Sequence, residues 1–380
     1  MKPITILFID HASFLGGSQI ALLGHLRLLD KNRFRPIVAC SVQAESSGLA
    51  EELKKLSIPY YLLPMDRLKI VNPVVIKRFI ESRRALKKIL ASEPIDIIFS
   101  NTVRAMLLTA SLPSKKIRAI WYLQDFTFPK ILFRLFRHRA DKIVFNSSAV
   151  AGFYGIKETA EIVHVGSDIM NAHLPASGGK EEKIRGIYGF KDDELIVGYI
   201  GRLVRSKGVY ELLDAYEKIL PRMDRQTKLL LVGTGRDQNG DIETDLIDRV
   251  KEKKLDKLVI FTGHKKNIFP YLRSMDVLCF PSLAPESFGL VIIEAMMSNV
   301  AVIATRTGGP EEIIRDESIG LLVRPGDVDE LARAIMVLAE DPELRQAITD
   351  CASVYAAENY SLEKMNDKLE KIYLALAERS

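Results

Sequence analysis

The sequence predicts an α/β protein made of two successive Rossmann-like domains, and three observations support that prediction. A chain of 380 residues, 47% of them hydrophobic, is long enough for two separate cores. Short apolar stretches alternate with amphipathic helical patterns along the chain, which favours parallel strands buried on both faces. The alternation pauses once, at residues 171–180, where the composition is typical of a linker.

The first predicted domain covers residues 1–170, the second covers residues 181–355, and residues 356–380 form a terminal helical segment. We predict strands of the first domain at residues 4–9, 36–40, 59–63, 95–99, 118–123, 142–145 and 161–165. We predict strands of the second domain at residues 195–200, 228–232, 258–261, 277–280, 301–304 and 320–323. Such sheets bind ligands beyond the carboxyl ends of their strands, so a shared site is expected in the cleft between the domains.

Charge is divided unequally between the two halves of the chain. Residues 1–175 contain 25 Lys and Arg against 14 Asp and Glu, whereas the remainder contains 29 against 35. The basic first half predicts contact with phosphates, lipid headgroups or nucleic acid. No apolar run reaches the roughly 18 residues that a membrane span needs. Three cysteines without paired spacing predict a reducing compartment, the cytoplasm.

Two cations, Arg202 and Lys207, follow the first strand of the second domain and precede a helical pattern. They are expected at the carboxyl end of that strand, where they can neutralise a diphosphate. Arg binds such a group through a bidentate fork, and Lys acts as a compact charge. A solvated basic loop is the alternative.

Two glutamates, Glu286 and Glu294, lie on either side of the start of a predicted helix at residues 289–298. A carboxylate accepts two hydrogen bonds from a vicinal diol, the group that a sugar or a ribose presents. Apolar neighbours predict that Glu294 is buried, and a buried carboxylate needs partners. An exposed helix glutamate is the alternative.

Glycine turns follow several predicted strands. Gly16 and Gly17 precede a helix whose free N–H groups and positive dipole end suit an anion. Gly233 follows the second strand of the second domain, and the Gly308-Gly309 pair opens a further helix. A simple turn between strand and helix is the alternative for each.

The order of these motifs is specific. Gly-Arg-Leu-x-x-x-Lys-Gly begins at Gly201, Gly-x-Gly begins at Gly233, Pro-Ser precedes Glu-x7-Glu-Ala, and Gly-Gly-Pro-Glu-Glu begins at Gly308. With Gly16-Gly17 and residues 165–168, this order resembles family 4 of the retaining glycosyltransferases with the GT-B fold. The resemblance covers nearly the whole chain and is densest over residues 198–325. It implies two Rossmann-like domains facing across a cleft, with the terminal helix crossing back to the first domain.

The resemblance also implies a role for each matching residue. Arg202 and Lys207 would hold the donor diphosphate and stabilise it as a leaving group, and Glu294 would bind the donor ribose. Glu286 would hold the transferred sugar and its phosphate, together with backbone amides. The other implied donor-binding residues are Gly16, Gly17, Gly233, Phe288, Gly289 and Leu290. The donor would be a nucleotide sugar, with UDP as the first guess, and the acceptor a saccharide or a lipid-linked molecule in glycan or cell-envelope polysaccharide synthesis.

The first domain departs from the family in one place. Many members have a His-Asp pair after the fifth strand, where the histidine contacts the transferred sugar; here the pair is Gln124-Asp125. Gln124 donates and accepts hydrogen bonds but carries no charge, and Asp125 stays a candidate hydroxyl acceptor. A nucleotide-sugar-binding protein without transferase activity and a GT-B-fold nucleotide-sugar epimerase therefore remain open as alternatives.

No metal ion and no resident cofactor are predicted. The only Asp-x-Asp, Asp327-Val328-Asp329, opens a predicted helix and fits a helix cap followed by a first-turn acid. The six histidines show no paired spacing.

Residues 128–139 predict a short amphipathic helix that makes a peripheral contact with an anionic membrane, on its cytoplasmic face. One stripe carries Lys130, Arg134 and Arg137, and the opposite face is predicted to carry Ile131, Leu132, Leu135 and Phe136. Packing against the core with a solvated face is the alternative. A second basic cluster comprises Lys77, Arg78, Arg83, Arg84, Lys87 and Lys88. Nucleic acid is not a predicted partner, because aromatic residues accompany the basic ones only at residues 128–136.

Overall fold

The computed structural model describes residues 2–11, 16–42, 48–65, 73–112, 117–156, 158–168, 184–235 and 241–378. The chain divides into two compact units. The first comprises Met1–Gly166 and Leu362–Ser380, and the second comprises Ser167–Ser361. The predicted linker, residues 171–180, lies outside the described residues. The division falls close to the predicted ends of the first domain, at residue 170, and of the second domain, at residue 355.

A seven-stranded parallel sheet forms the centre of the first unit. Its strands are β1 (Ile4–Asp10), β2 (Phe34–Ser41), β3 (Tyr60–Leu63), β4 (Ile97–Ser100), β5 (Arg118–Leu123), β6 (Lys142–Phe145) and β7 (Glu161–Ile162). They are ordered β3-β2-β1-β4-β5-β6-β7, so the strand order reverses between β1 and β4. Ligands of doubly wound sheets bind beyond the strand carboxyl ends at this kind of reversal.

A six-stranded parallel sheet forms the centre of the second unit. Its strands are β8 (Leu195–Ile200), β9 (Thr227–Val232), β10 (Val259–Phe261), β11 (Val277–Phe280), β12 (Ala301–Thr305) and β13 (Leu321–Val323). They are ordered β10-β9-β8-β11-β12-β13, with the reversal between β8 and β11. The motifs of the second unit therefore follow strands on both sides of a reversal.

Helices connect the strands and cover the sheets in both units. The described helices of the first unit that precede residue 167 are α1 (Gly17–Leu28), α2 (Leu49–Lys55), α3 (Pro73–Ser92), α4 (Val103–Ala110), α5 (Lys130–Phe136) and α6 (Ser148–Phe153). Those of the second unit are α7 (Ile184–Ile187), α8 (Val209–Ile219), α9 (Ile242–Glu252), α10 (Phe269–Leu272), α11 (Leu290–Met297), α12 (Gly309–Ile313), α13 (Val328–Glu340) and α14 (Pro342–Tyr360). No helix among the described residues is both long and apolar enough to cross a bilayer.

The helix α15 (Leu362–Ala377) returns the chain to the first unit. Its Tyr373 is fully buried, and the hydroxyl is hydrogen-bonded to Nε2 of His25 in α1 at 2.9 Å. The Tyr373 ring also packs edge-on against Phe8, Phe34 and Phe99 of the sheet. Burial lowers the pKa of His25 to about 4, so the imidazole is neutral within this aromatic cluster.

Most strands begin and end within two residues of their predicted bounds, because continuous runs of buried aliphatic residues define them. The predicted strand at residues 161–165 is shorter, Glu161–Ile162. Its only ladder partners are Val144 and Phe145, the last two residues of β6, so the pairing ends where β6 ends.

The amphipathic helix predicted at residues 128–139 is shorter in the structure, and its apolar residues are divided between the core and the surface. The helix α5 covers only Lys130–Phe136, and it packs through Phe133, which lies in an aromatic cluster of the core. Ile131 is 69% exposed and Leu135 is 57% exposed, and both lie on the outer side with Arg134. The Phe133 ring fixes this orientation, because it packs on the rings of Phe128, Phe145 and Tyr154.

Candidate active site

The loop after β8 carries the two predicted cations. Leu203 anchors this loop, because it is fully buried and its N–H donates to Thr234 O at 3.0 Å. Arg202 is exposed, and no acidic partner for its guanidinium exists among the described residues. A short 3-10 helix, Arg205–Lys207, then positions Lys207. The structure thus puts both cations at the carboxyl end of β8.

Lys207 is joined to Glu286, which lies 79 residues later in the sequence. Oε1 of Glu286 accepts hydrogen bonds from both Lys207 Nζ and Ser282 Oγ. The Lys207 ammonium also lies 5.6 Å from the centre of the Phe280 ring. Oε2 of Glu286 has no hydrogen-bond donor among the described residues, so one carboxylate oxygen stays available. The motif order alone did not predict this ion pair.

Two neighbouring loops are hydrogen-bonded to each other at this place. Glu286 N donates to Thr307 O at 2.7 Å, and Gly309 N donates to Glu286 O at 2.9 Å. Thr305 Oγ1 donates to Ser282 O at 2.6 Å. The loops after β11 and β12 therefore hold Glu286 in a fixed position, and its side chain is 13% exposed.

Close backbone contacts explain two glycines of the motifs. Gly208 has φ +72°, and a Cβ there would lie 1.8 Å from Pro281 O. Gly233 has φ +144°, and a Cβ there would lie 1.8 Å from Gly201 O. No side chain fits at either position. The structural explanation of Gly233 is thus sufficient by itself, and its role in donor binding stays a prediction.

The start of α11 provides free backbone donors. Gly289, at φ +117°, is the N-cap of α11, and neither its N–H nor that of Leu290 donates to an acceptor among the described residues. Phe288 is 3% exposed and packs edge-on against Tyr360 at 5.6 Å. Free N–H groups at the positive end of a helix favour a bound anion.

Glu294 lies inside α11 and is 7% exposed, which excludes the alternative of a solvated helix glutamate. Its neighbours Ile293 and Ala295 are fully buried. No described residue donates a hydrogen bond to its carboxylate. Burial therefore raises the pKa of Glu294 to about 8, since no charge or hydrogen bond compensates the loss of water. A diol that donates two hydrogen bonds would supply the missing partners.

A buried network of polar side chains lies at the carboxyl edge of the sheet in the first unit. Asp10, the last residue of β1, is fully buried. Its Oδ2 accepts hydrogen bonds from Asn101 Nδ2 at 2.7 Å and from Gln19 Nε2 at 3.0 Å. A carboxylate only accepts hydrogen bonds, so both amides must turn their nitrogen towards Asp10.

That constraint fixes the orientation of Gln124. Since Asn101 Nδ2 faces Asp10, Asn101 Oδ1 faces the other way and accepts from Gln124 Nε2 at 2.7 Å. The same nitrogen of Gln124 lies 3.3 Å from Asn101 O. Gln124 Oε1 is then the outward atom, and it has no donor among the described residues. Gln124 therefore offers a hydrogen-bond acceptor at the carboxyl edge of this sheet.

Gln19 is oriented by Asp10 in the same way, and this affects the first glycine loop. Its Oε1 accepts from Gly16 N at 3.2 Å, so the N–H of Gly16 is already used. The N–H of Gly17 donates to no described acceptor. Among the predicted pair, only Gly17 thus offers a free donor, and the role of both in binding a diphosphate stays a prediction.

Asp10, Gln19 and Asn101 were not among the predicted site residues. A signal was present, because Asp10 ends one buried strand and Asn101 directly follows another, as Gln124 does after β5. Asp125, by contrast, is exposed and folds onto its own turn. Its Oδ1 accepts from Thr127 N at 2.8 Å and from Thr127 Oγ1 at 2.6 Å.

A metal site was not predicted, and within the described ranges no group of three or more His, Cys, Asp or Glu side chains could hold a metal ion. Asp327 caps α13, because its Oδ1 accepts from Glu330 N at 2.8 Å. Asp329 pairs with Lys218 at 2.7 Å. The Asp-x-Asp motif is thus accounted for by the helix.

The part of the chain that contains this cluster matches a known family. Residues 180–353 match the family described as Glycosyl transferases group 1. This match includes the residues from Arg202 to Glu294 and covers less than half of the chain. The resemblance stated from the motifs is therefore confirmed.

Curated relatives match parts of the chain. N-acetyl-alpha-D-glucosaminyl L-malate synthase of Bacillus anthracis is 32% identical over 186 residues, which are 49% of this chain and 47% of that protein. D-inositol 3-phosphate glycosyltransferase of Corynebacterium urealyticum is 29% identical over 245 residues, 62% of this chain and 57% of that protein. The chain spans about half the length of the curated relatives it matches.

The likeness in three dimensions extends further. The crystal structure of Anabaena Alr3699/HepE in complex with UDP superposes with a TM-score of 0.82 at 23% identity, covering 98% of this chain and 100% of that chain. At this identity the comparison shows the fold alone. The predicted fold class, α/β with the two Rossmann-like domains of GT-B proteins, is confirmed.

Proposed function

We propose that this protein, which matches the glycosyl transferases group 1 family over residues 180–353, is a retaining, metal-independent glycosyltransferase of the cytoplasm. It would move a sugar from a nucleotide-diphosphate sugar to a saccharide or lipid-linked acceptor in glycan or cell-envelope polysaccharide synthesis. The observation that carries the proposal is the cluster at the carboxyl edge of the second sheet. Two cations, an anchored glutamate and a buried glutamate without a partner lie there: Arg202, Lys207, Glu286 and Glu294.

Glu294 is the proposed ribose-binding residue. A carboxylate that is buried without hydrogen-bond donors is costly, and a ribose supplies two adjacent hydroxyl donors. Uridine is our first choice of nucleoside, and the UDP bound in the Anabaena structure supports it. The free N–H groups of Gly289 and Leu290 would take a phosphate of the same donor.

Arg202 and Lys207 are the proposed stabilisers of the leaving group. Breaking the bond between the anomeric carbon and the diphosphate oxygen leaves negative charge on the diphosphate, which fixed cations stabilise more than they stabilise the bound donor. Glu286 holds Lys207 in place through Oε1 and keeps Oε2 for a hydroxyl of the transferred sugar.

Retention of configuration would follow from attack on the face that the diphosphate leaves. The acceptor oxygen forms the new bond to the anomeric carbon of an oxocarbenium-like transition state. A diphosphate oxygen takes the proton of the acceptor hydroxyl. Such a step needs no carboxylate nucleophile on the opposite face of the sugar, and the charge that builds up on the diphosphate is met by the two cations.

The proposed function is tested first by thermal unfolding with UDP, GDP, ADP and their sugars, without added metal. A nucleotide at 100 times its dissociation constant is expected to add about 2.7 kcal/mol to the free energy of unfolding. The wild-type protein should respond to one nucleotide, and Glu294→Ala should not. The absence of a response to every nucleotide by folded protein would contradict the donor site.

Product analysis then separates the three function classes. A glycosyltransferase releases nucleoside diphosphate only as a new glycoside forms, and the anomeric proton coupling of that glycoside reports whether configuration is retained. An epimerase changes the sugar without an acceptor. A binding protein shows a nucleotide response and no product with any acceptor offered.

Gln124 is the proposed sugar-contacting residue of the first unit, through Oε1. Replacing it with methionine keeps the side-chain volume but removes the acceptor, so kcat/KM is expected to fall roughly 10- to 100-fold, the effect of one hydrogen bond to a sugar hydroxyl. Gln226→Met, an exposed glutamine of the second unit, is the matched control. Equal kcat/KM for wild type and Gln124→Met would remove Gln124 from the site.

A further inference from the structure

The outer surface of the first unit combines exposed cations with exposed aliphatic side chains on α3 and α5. The helix α3 contains six Lys and Arg and a single acid, Glu81. Its outward cations are Lys77, Arg84, Lys87 and Lys88, and Ile76 (50% exposed) and Ile80 (43% exposed) lie among them. On α5, Ile131 and Leu135 are exposed beside Arg134. Exposed aliphatic side chains are common singly, but here four of them accompany cations on two helices.

The topology brings α3 and α5 to the same side of the sheet. The connections β3-α3-β4 and β5-α5-β6 run in the same direction along the strand order, and right-handed crossovers put their helices on one face. The connection β4-α4-β5 runs the same way, so α4 lies between them. The helices α1 and α2 connect strands in the opposite direction and cover the other face.

Two arginines tie α3 and α5 to the end of α4. Arg83 of α3 donates from Nε and Nη2 to Ser111 O, both at 3.1 Å. Arg139, just after α5, donates from Nε to Ala110 O at 3.2 Å and also to Leu112 O. These two guanidiniums stabilise the helix layer from inside, and they fix α3 and α5 relative to one another.

The outward cations of α3 and α5 have few acidic partners in the described part of the chain. Lys77 lies 4.0 Å from Glu81. Arg84, Lys87, Lys88, Arg134 and Arg137 have no acidic partner among the described residues. A face with this charge attracts an anionic surface, and aliphatic side chains that project from it suit the boundary between headgroups and acyl chains. Aromatic side chains, which nucleic acid would favour, are not among the large hydrophobic residues exposed in the described part of the chain.

We propose that this basic-aliphatic face, formed by Ile76, Ile80, Lys77, Arg84, Lys87, Lys88, Ile131, Leu135, Arg134 and Arg137, binds the surface of an anionic lipid bilayer. The membrane contact predicted for residues 128–139 is thereby extended to α3, and on α5 the side chains that point to the lipid are Ile131 and Leu135. Binding has two parts, electrostatic attraction to headgroups and shallow insertion of four aliphatic side chains. It is independent of the transferase activity proposed above.

The test is sedimentation of the full chain with vesicles of phosphatidylcholine alone and of phosphatidylcholine with phosphatidylglycerol. Binding is expected only with phosphatidylglycerol and is expected to weaken as salt is raised, since exposed charges are screened. The variant Arg84→Gln/Lys87→Gln/Lys88→Gln should bind at least tenfold more weakly, because each cation near an anionic surface contributes roughly fivefold.

Two further variants separate a specific face from general basicity. Lys251→Gln/Lys254→Gln/Lys257→Gln removes the same charge from exposed positions of the second unit and should bind like wild type. Ile76→Ser/Ile80→Ser/Ile131→Ser/Leu135→Ser keeps every charge and should bind at least tenfold more weakly, with an unchanged circular dichroism spectrum. The proposal would be overturned if the two charge variants lost vesicle binding equally, or if the serine variant bound vesicles as tightly as wild type. Tighter binding to duplex DNA than to phosphatidylglycerol vesicles would also overturn it.

Discussion

Lys207→Ala is expected to lower kcat by about 10²–10³-fold, with a much smaller change in the dissociation constant of the donor. The reason is that negative charge develops on the diphosphate as it departs, and the Lys207 ammonium stabilises that charge. Removing one such donor from a catalytic site typically lowers kcat by this factor. Arg202→Ala should act in the same direction. The fold-decrease in kcat of the double variant should be smaller than the product of the two single decreases, since both residues act on the same leaving group.

The measurement is the steady-state release of nucleoside diphosphate, with donor affinity determined separately by calorimetry. Lys218→Ala is a matched control, because it removes another lysine from a lysine–carboxylate pair, with Asp329. Lys218 lies in the last turn of α8, which begins at the carboxyl end of β8 and runs away from it. Lys207→Ala with the kcat of wild type, in protein of normal stability, would exclude Lys207 from catalysis.

Glu294→Gln is expected to have two effects of opposite sign: loss of nucleotide binding and higher stability of the free protein in alkali. Burial raises the pKa of Glu294 to about 8 from 4.5. The folded state therefore holds this proton more tightly than the unfolded state, and the resulting stability is lost as the pH rises from about 4.5 through about 8. At 1.36 kcal/mol per pKa unit the loss approaches about 5 kcal/mol at pH 9. Glutamine carries no charge and escapes this loss.

Urea unfolding at pH 5, 7 and 9, with and without the nucleotide, checks both effects. The two proteins should have similar stability at pH 5, and the variant should become the more stable one as the pH rises. Nucleotide binding by the wild type should strengthen as the pH rises through about 8, since the carboxylate accepts both ribose hydroxyls. A variant that still responds to nucleotide would exclude the ribose role, and parallel pH profiles would contradict the buried carboxyl.

The positions of the strands and the placement of Arg202 and Lys207 could be predicted from the sequence, because these features follow from local patterns. Buried parallel strands are continuous aliphatic runs, and polar residues that follow them must lie at the carboxyl edge of a sheet. The burial of Glu294 was predictable for the same reason, since its apolar neighbours leave the helix no solvated face.

The remaining features depend on residues that only the fold brings together. Lys207 meets Glu286 across 79 positions, and Asn101 meets Asp10 across 91. The need for glycine at position 233 comes from the carbonyl oxygen of Gly201, which is not visible in a motif. Which side of α5 faces the core also depends on distant residues, because the ring of Phe133 packs on those of Phe145 and Tyr154.

The return of α15 to the first unit has a consequence for how the chain is made. Tyr373 joins His25 across 348 positions, so ribosomes synthesise the whole second unit before the first unit can be completed. Until then the nascent first unit exposes the apolar surface around Phe8 and Phe99 that Tyr373 later covers. The second unit, in contrast, is contiguous and contains all its own strands, so it can fold while the first still waits for its last helix. The order of folding in the cell is therefore expected to differ from the order of synthesis.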